Sequence, residues 1–477
     1  MAHAAHRQCG KNDGHRDFPS ASSTAIEIDA RTRALLEGPI ASTLLRLAAP
    51  NVLVMVVQAS VGLIEAYFIG KLGTDALAGV ALVFPALMLM QMMSAGAMGG
   101  GISSAIARAL GAGRRIDADA LVSHALVIAV IFGALFSLGV LAGGRWLYRM
   151  MGGHGESLAA ALTYSNVSFS GAILVWIFNS LASVVRGTGN MAVPAIVSCT
   201  GAALLIPISP CLIFGWGPFP RVGIAGGAWA VVIYYALGSL AFALYLWSGR
   251  GVLRPIFKIS CLRWALFRDI LRVGAVASFI GIQTNITIAI ATGLVGKFGP
   301  AAIAGYGTGT RVEYLLIPLV FGFGGPLVAM VGTNFGAGQR ERALNATWIG
   351  AALSAGFTEA IGLCVALFPK AWLSLFDSDQ EMLRAGTRYL HTVGPAYGLL
   401  GLGMALYFAS QGAGYLLWPV LANFARLMIA AGGGWLAIRW GGGLSYVFAA
   451  QSIGLTAFGL IIAAATARGA WRSPHRS

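Results

Sequence analysis

GKLGTDALAG (70–79) returns as GKFGPAAIAG (296–305), 226 residues further along the chain. Other echoes keep nearly the same spacing. GAGRRIDADAL (111–121) is answered by GAGQRERALNA (336–346), and VVRGTGNMAVP (184–194) by ASQGAGYLLWP (409–419), both at an offset of 225. WLY (146–148) pairs with WLS (372–374) at 226. Four matches at one spacing, each between apolar stretches, describe a chain built from two copies of one unit.

Composition says what solvent that unit meets. The 477 residues are 57% hydrophobic and 10% charged, whereas soluble domains carry about 25% charged residues. The 65 glycines fit helices that pack backbone to backbone in a bilayer. Apolar spans are expected near 44–70, 76–104, 119–145, 158–185, 191–214, 223–248, 273–296, 301–332, 343–368, 385–410, 417–438 and 444–467. The expected fold is an all-α polytopic membrane protein, twelve transmembrane helices in two six-helix lobes. Six is even, so the lobes enter the membrane with the same orientation, as a parallel internal repeat. Transporters built this way bind substrate between the halves and rock one against the other.

The net charge of +15 suggests nucleic acid until its distribution is counted. With the N-terminus inside, 21 of the 32 Lys and Arg fall on inner segments and 9 on outer ones, and Arg311 and Arg426 lie deep within spans. This positive-inside bias places both termini in the cytoplasm of a bacterial-type inner membrane and leaves no nucleic-acid partner to explain. Residues 1–38 read as a polar, disordered tail without a secretory signal. Residues 39–248 form the N-lobe, 249–272 an inter-lobe linker, 273–467 the C-lobe and 468–477 a second tail. The linker stretch from Ser248 to Arg272 interleaves eleven bulky apolar residues with six basic ones, the pattern of a segment lying along the membrane surface. The five scattered cysteines imply neither disulfides nor a metal site.

Prolines interrupt the spans at Pro50, Pro85, Pro207, Pro210, Pro318, Pro326 and Pro395. Kinks are expected there, with freed carbonyls facing protein or a watered cavity.

Few groups inside the spans can carry chemistry. Asn51, Gln58 and Glu65 are seven apart, so they form one polar stripe on the first helix. Gln58 maps by the repeat to Gln283 or Thr284, near Asn285 and Thr287, whereas Glu65 maps to Ile290 or Ala291. A carboxylate in a bilayer costs several kcal/mol unless it is paired, hydrated or protonated. An acid present in one half only therefore points to ion coupling there. Glu313 and Glu359 are the other acids well inside spans. Glu313 stands two residues from Arg311, on a different helix face, so each needs a partner from another helix. LMLMQMMSAGAMGGG (87–101) places adaptable methionines where they could line a cavity. No nucleophile–base set or zinc pattern appears, and an enzyme is not expected.

An acid before GKLG, GAG after the second and eighth spans, and RGTGN before the fifth together resemble the multidrug and toxic compound extrusion (MATE) family over residues 39–467. The resemblance implies a two-lobed antiporter that exports organic cations or other amphipathic compounds in exchange for protons or sodium. Glu65 falls close to where the family usually shows aspartate in the first helix. The family's asparagine and aspartate of the fifth helix correspond, counting back from LIFG (212–215), to Leu205 and Ser209 here. The seventh span lacks the acid of some relatives, which leaves Glu313 as its C-lobe substitute.

The expectation is a monomeric efflux antiporter with no cofactor beyond its coupling ion. Glu65 and Glu313 are its ion-coupling residues. Gln58, Gln91, Asn166, Gln283, Asn285 and Glu359 are polar substrate contacts, with Tyr67 and Tyr306 stacking on a cationic or aromatic ligand. Tyr164 and Tyr389, 225 apart, read as structural. The alternative is a lipid-linked oligosaccharide flippase, which needs a basic cavity for diphosphate. A major-facilitator transporter is disfavoured because IARALGAGRRIDAD lacks that group's glycine–aspartate–arginine pattern.

Overall fold

In lipid every backbone N–H and C=O must be satisfied within the protein, and helices do this within each segment. The computed structural model describes residues 29–255, 262–376, 378–469 and 471, and they fold as helices. Spans 1 to 3 are Ile40–Gly70, Thr74–Gly111 and Arg115–Met150. Span 4 is a pair, Gly155–Ser170 and Ala172–Gly187, bent by 48°. Spans 5 and 6 are Ala192–Phe214 and Ile224–Trp247, and the second half follows as Trp264–Gly296, Pro300–Gly336, Arg340–Leu367, Gln380–Ala413, Leu417–Arg439 and Leu444–Ala467. Eleven single helices are long and apolar enough to cross a membrane, and the bent pair brings the number of candidate spans to as many as twelve. The end of the bundle where helix Ala30–Glu37 bonds spans 6 and 8 is called the terminal face. The first polar tail up to residue 28, linker residues 256–261 and residues 472–477 lie outside the described residues.

The repeat survives in backbone detail. Gly73 and Gly299, 226 apart, end the two GK-[LF]-G turns with φ of 119° and 100°, values that side-chain-bearing residues rarely adopt. Of the seven prolines, one coincides with an interruption of helical hydrogen bonding. Pro50, Pro85, Pro207, Pro210, Pro318 and Pro326 all sit inside continuous helices. Breaks fall instead at π-helical Met92–Met98, at Gly171, at Arg311–Val312, at the 3-10 turn Gly394–Ala396 that contains Pro395, and at π-helical Met428–Gly433. Neighbouring helices re-satisfy the groups a proline frees, so proline alone does not place a break.

The lobes meet on their terminal-face halves through a reciprocal contact. A Cβ on Gly111 would fall on the carbonyl oxygen of Thr333, and one on Gly336 would fall on the carbonyl oxygen of Arg108. Gly336 is Gly111 plus 225 and Thr333 is Arg108 plus 225, so the seam is self-complementary, as across a twofold axis. Ala107 and Gly332, also 225 apart, touch each other on that axis. Arg108 adds polar ties across it, to Asp269 at 2.7 Å and to the Gly412 carbonyl at 3.1 Å. Higher up, Asn51 donates to the carbonyls of Phe321 and Gly322, and Asn285 reaches Met92.

Two further segments cross the terminal face. Helix Ala30–Glu37 is capped by the Asp29 side chain and buries Leu35 and Leu36, so ordered structure begins within the expected tail. Its Arg31 donates to Tyr245 of span 6, Leu35 lies against Gly189, and the Leu35 carbonyl accepts from Asn334 of span 8. The helix thus bridges both lobes. The described part of the linker is held by span 3: Asp119 accepts from the Arg254 N–H, His124 from the Arg263 N–H, and Arg115 donates to the Val252 carbonyl.

Candidate functional site

Above the seam, on the side away from the terminal face, each lobe holds one acid and a set of tyrosines. In the N-lobe Glu65 is half-buried near the end of span 1, and its Oε1 accepts from the Tyr164 hydroxyl of span 4 at 3.0 Å. Tyr235 of span 6 acts electrostatically on the same carboxylate. Tyr235 in turn accepts from Gln91 Nε2 at 2.7 Å, and Gln91 Oε1 accepts from Asn179 at 2.7 Å. Asn179 also donates to Ser94 at 2.9 Å. Gln91 and Ser94 flank the start of the π-helical turn, whose widened backbone brings this face of span 2 onto spans 4 and 6. No cation pairs with Glu65 among the described residues. Leu205 and Ser209 of span 5 are buried.

The C-lobe arrangement differs. Glu313 opens the second segment of span 8, just past the Arg311–Val312 break. It is half-buried, with Tyr389 of span 10 and Arg426 of span 11 acting on it. Tyr389 bonds Tyr397 hydroxyl to hydroxyl at 3.3 Å and meets Tyr306 edge-on at 5.2 Å between centroids. Tyr306 stacks on Phe448 at 6.0 Å and is buried. Arg311 is exposed, its guanidinium over Phe376 at 5.1 Å. Each member of the Arg311–Glu313 pair therefore finds its partner on another element.

The structure brings together Glu65 with Gln91 and, separately, Glu313 with Tyr306. Gln58 is exposed and interacts with Tyr234, which also engages Ser198. Its repeat mate Gln283 accepts from Asn423 at 3.4 Å. Ser198 and Asn423 are 225 apart, so this polar layer obeys the repeat. Asn285 is exposed beside Met92 at the junction of the lobes. The single stripe on span 1 divides: Asn51 bonds span 8, whereas Gln58 and Glu65 turn to their own lobe.

Three expected substrate contacts lie elsewhere. Tyr67 is 61% exposed and already carries Lys71 over its ring at 4.6 Å. Asn166, two residues past Tyr164, is exposed on another face of span 4. Glu359 accepts from the Gly398 N–H at 2.7 Å, capping the restarted helix of span 10 beside a groove of about 370 Å³ lined by Pro395 and Leu399. A free N–H at a broken helix end is where a carboxylate is stabilised. Tyr164 and Tyr389, read from the sequence as structural, are instead the partners of the two acids. Their offset of 225 marked them; what they face could not be read from spacing.

Two lobes that share a repeat, a seam between them and a polar cluster in each are the architecture to set beside known proteins. The MatE family model matches residues 50–211 and again 277–436. The chain belongs to this family of membrane transporters, and it is a multi-pass membrane protein rather than an enzyme. A protein of Shewanella oneidensis named "FAD transporter" is 28% identical over 83% of this chain and 87% of its own. The "Probable multidrug resistance protein NorM" of Thermotoga maritima is 25% identical over 82% of this chain and 84% of its own. Among solved structures, a MOP superfamily transporter from Pyrococcus furiosus superposes with a TM-score of 0.84 at 24% identity, covering 92% of this chain and 98% of that one. That likeness supports the fold.

Proposed function

We propose that the protein is a proton-coupled antiporter of the inner membrane, both termini cytoplasmic, which exports amphipathic small molecules through the cleft between its lobes. The observation that carries this reading is Glu65: a half-buried carboxylate bonded by the Tyr164 hydroxyl, with no cationic partner among the described residues. Protonation removes the cost of a buried charge, so proton binding and release bias two packings of the N-lobe. Substrate biases the same equilibrium in the opposite sense, which is antiport. The neutral donors around Glu65 favour a proton over sodium, which needs converging oxygen ligands. The multidrug name of the Thermotoga relative supports a broad amphipathic substrate range.

A second reading, export of a flavin dinucleotide, is supported by the name of the Shewanella relative. Purified protein in liposomes loaded with ethidium or with FAD, given a pH gradient and then a sodium gradient, separates the cases. Proton-driven ethidium efflux that is lost in Glu65→Gln supports the first reading. FAD efflux without ethidium efflux supports the second. Flux driven by sodium alone overturns proton coupling.

A further inference from the structure

Arg186 stands in VVRGTGN, in the last turn of helix Ala172–Gly187. In the structure its side chain turns back into the junction where spans 1, 2, 4 and 8 meet. A Cβ on Gly325 of span 8 would lie 3.8 Å from Arg186 Cδ and 3.1 Å from Asn51 Nδ2. Gly325 is eleven residues before the end of span 8 at Gly336, which places this junction about 16 Å from the terminal face at 1.5 Å per residue.

A guanidinium carries five N–H donors and no acceptor. Here Nη2 donates to Ser183 Oγ at 3.0 Å, and that is its one hydrogen bond among the described residues. No carboxylate pairs with it there, and no charged group acts on it. Asn51 beside it spends Nδ2 on the Phe321 and Gly322 carbonyls. The other arginine at this seam, Arg108, already has Asp269, and Arg426 has Glu313. The repeat mate of Arg186 is Gln411, a buried neutral side chain. An arginine with one hydrogen bond and no counter-charge among the described residues stands beside Gly325 and Asn51, where the lobes meet.

We propose that Arg186 is the core of an anion subsite that takes a phosphate-type oxyanion, bound by the planar fork of the guanidinium. The forked donors suit two oxygens of one phosphoryl group, and binding supplies the missing counter-charge. The inference rests on the transport reading only for the route by which the ligand arrives. Its chemistry can come from the head of a phosphorylated substrate or from an anionic phospholipid.

The test is titration of the purified full-length protein with inorganic pyrophosphate, followed by tryptophan fluorescence, with ethidium efflux of the wild type measured in parallel. Wild type is expected to bind pyrophosphate about 10-fold more tightly than Arg186→Gln and about 3-fold more tightly than Arg186→Lys, which keeps charge but loses the fork. Gly325→Ala, whose methyl would press to 3.1 Å from Asn51 Nδ2 and 3.8 Å from Arg186 Cδ while leaving the guanidinium intact, should weaken binding as well, so the proposal stays testable where Arg186→Gln fails to fold. Arg311→Gln, on an exposed arginine, should bind as wild type does. Phosphatidylglycerol in mixed micelles that competes with pyrophosphate in an Arg186-dependent way assigns the subsite to lipid; pyrophosphate binding that it leaves untouched assigns it to a soluble substrate. Equal affinity for pyrophosphate in wild type, Arg186→Gln and Gly325→Ala overturns the proposal even where ethidium efflux is intact. Arg186-dependent binding without ethidium efflux upholds it while the drug-export reading fails.

Discussion

Glu65 and Glu313 are each met by a tyrosine from the equivalent position of their own lobe, Tyr164 and Tyr389. The tyrosines obey the repeat and the acids do not, since Glu65 comes from span 1 and Glu313 from span 8. Their surroundings diverge further. Glu65 sees hydroxyl and amide groups, whereas Glu313 faces Arg426. A nearby guanidinium is a counter-charge for a carboxylate, and neutral donors are not. The two pockets thus share a tyrosine and differ by one cation. The seam between the lobes did not diverge in this way. Gly111 and Gly336 make mirror-related contacts.

That contrast can be broken experimentally, and the sharpest blow falls on the acids. Glu65→Gln should reduce gradient-driven efflux by about 100-fold or more, because no other group in that cluster can carry the coupling charge. Glu313→Gln should cost about 10-fold or less. Equal losses in the two variants would mean that the lobes share coupling.

The seam should respond symmetrically. Gly111→Ala and Gly336→Ala each drive a methyl into a carbonyl, so each should prevent closure at the terminal face and lower flux by about 10-fold. A cysteine placed near that seam should label faster in both. Unequal effects would show that one lobe dominates closure.

Smaller effects concern the fixed pair. Arg426→Gln should lower unfolding stability in detergent by about 1–2 kcal/mol, less than the ~3–5 kcal/mol of a direct buried ion pair, since the two groups make no direct bridge. The double variant with Glu313→Gln should recover part of that loss. At the low end, Tyr164→Phe removes one hydrogen bond of about 1 kcal/mol to the Glu65 carboxylate and should lower flux about 5-fold at one pH. Tyr389→Phe should do less, because Arg426 remains.

Much of this was legible in the chain. The offset of 225 or 226 located the lobes, the turns at Gly73 and Gly299 and the seam glycines, because a repeat preserves backbone requirements. Glu65 was legible as an acid in an apolar helix without a twin. What faces it was not, since helix spacing fixes which side a residue occupies and leaves open which helix packs there. Tyr164, Tyr235 and Asn179 entered only through packing. The surroundings of Arg186 were hidden for a related reason, since a long side chain at a span end can turn inward as readily as outward. The π-helical turn at Met92–Met98 has no marker residue in the sequence.

The helix Ala30–Glu37 lies before both stretches that the family model matches, yet it grips Tyr245 in one lobe and Asn334 in the other. A machine of two nearly equal halves has no built-in preference for where it waits between cycles. A splint laid across one end adds contacts to one arrangement of the halves, so trimming those eight residues is expected to loosen that end while leaving the acids and tyrosines above the seam in place.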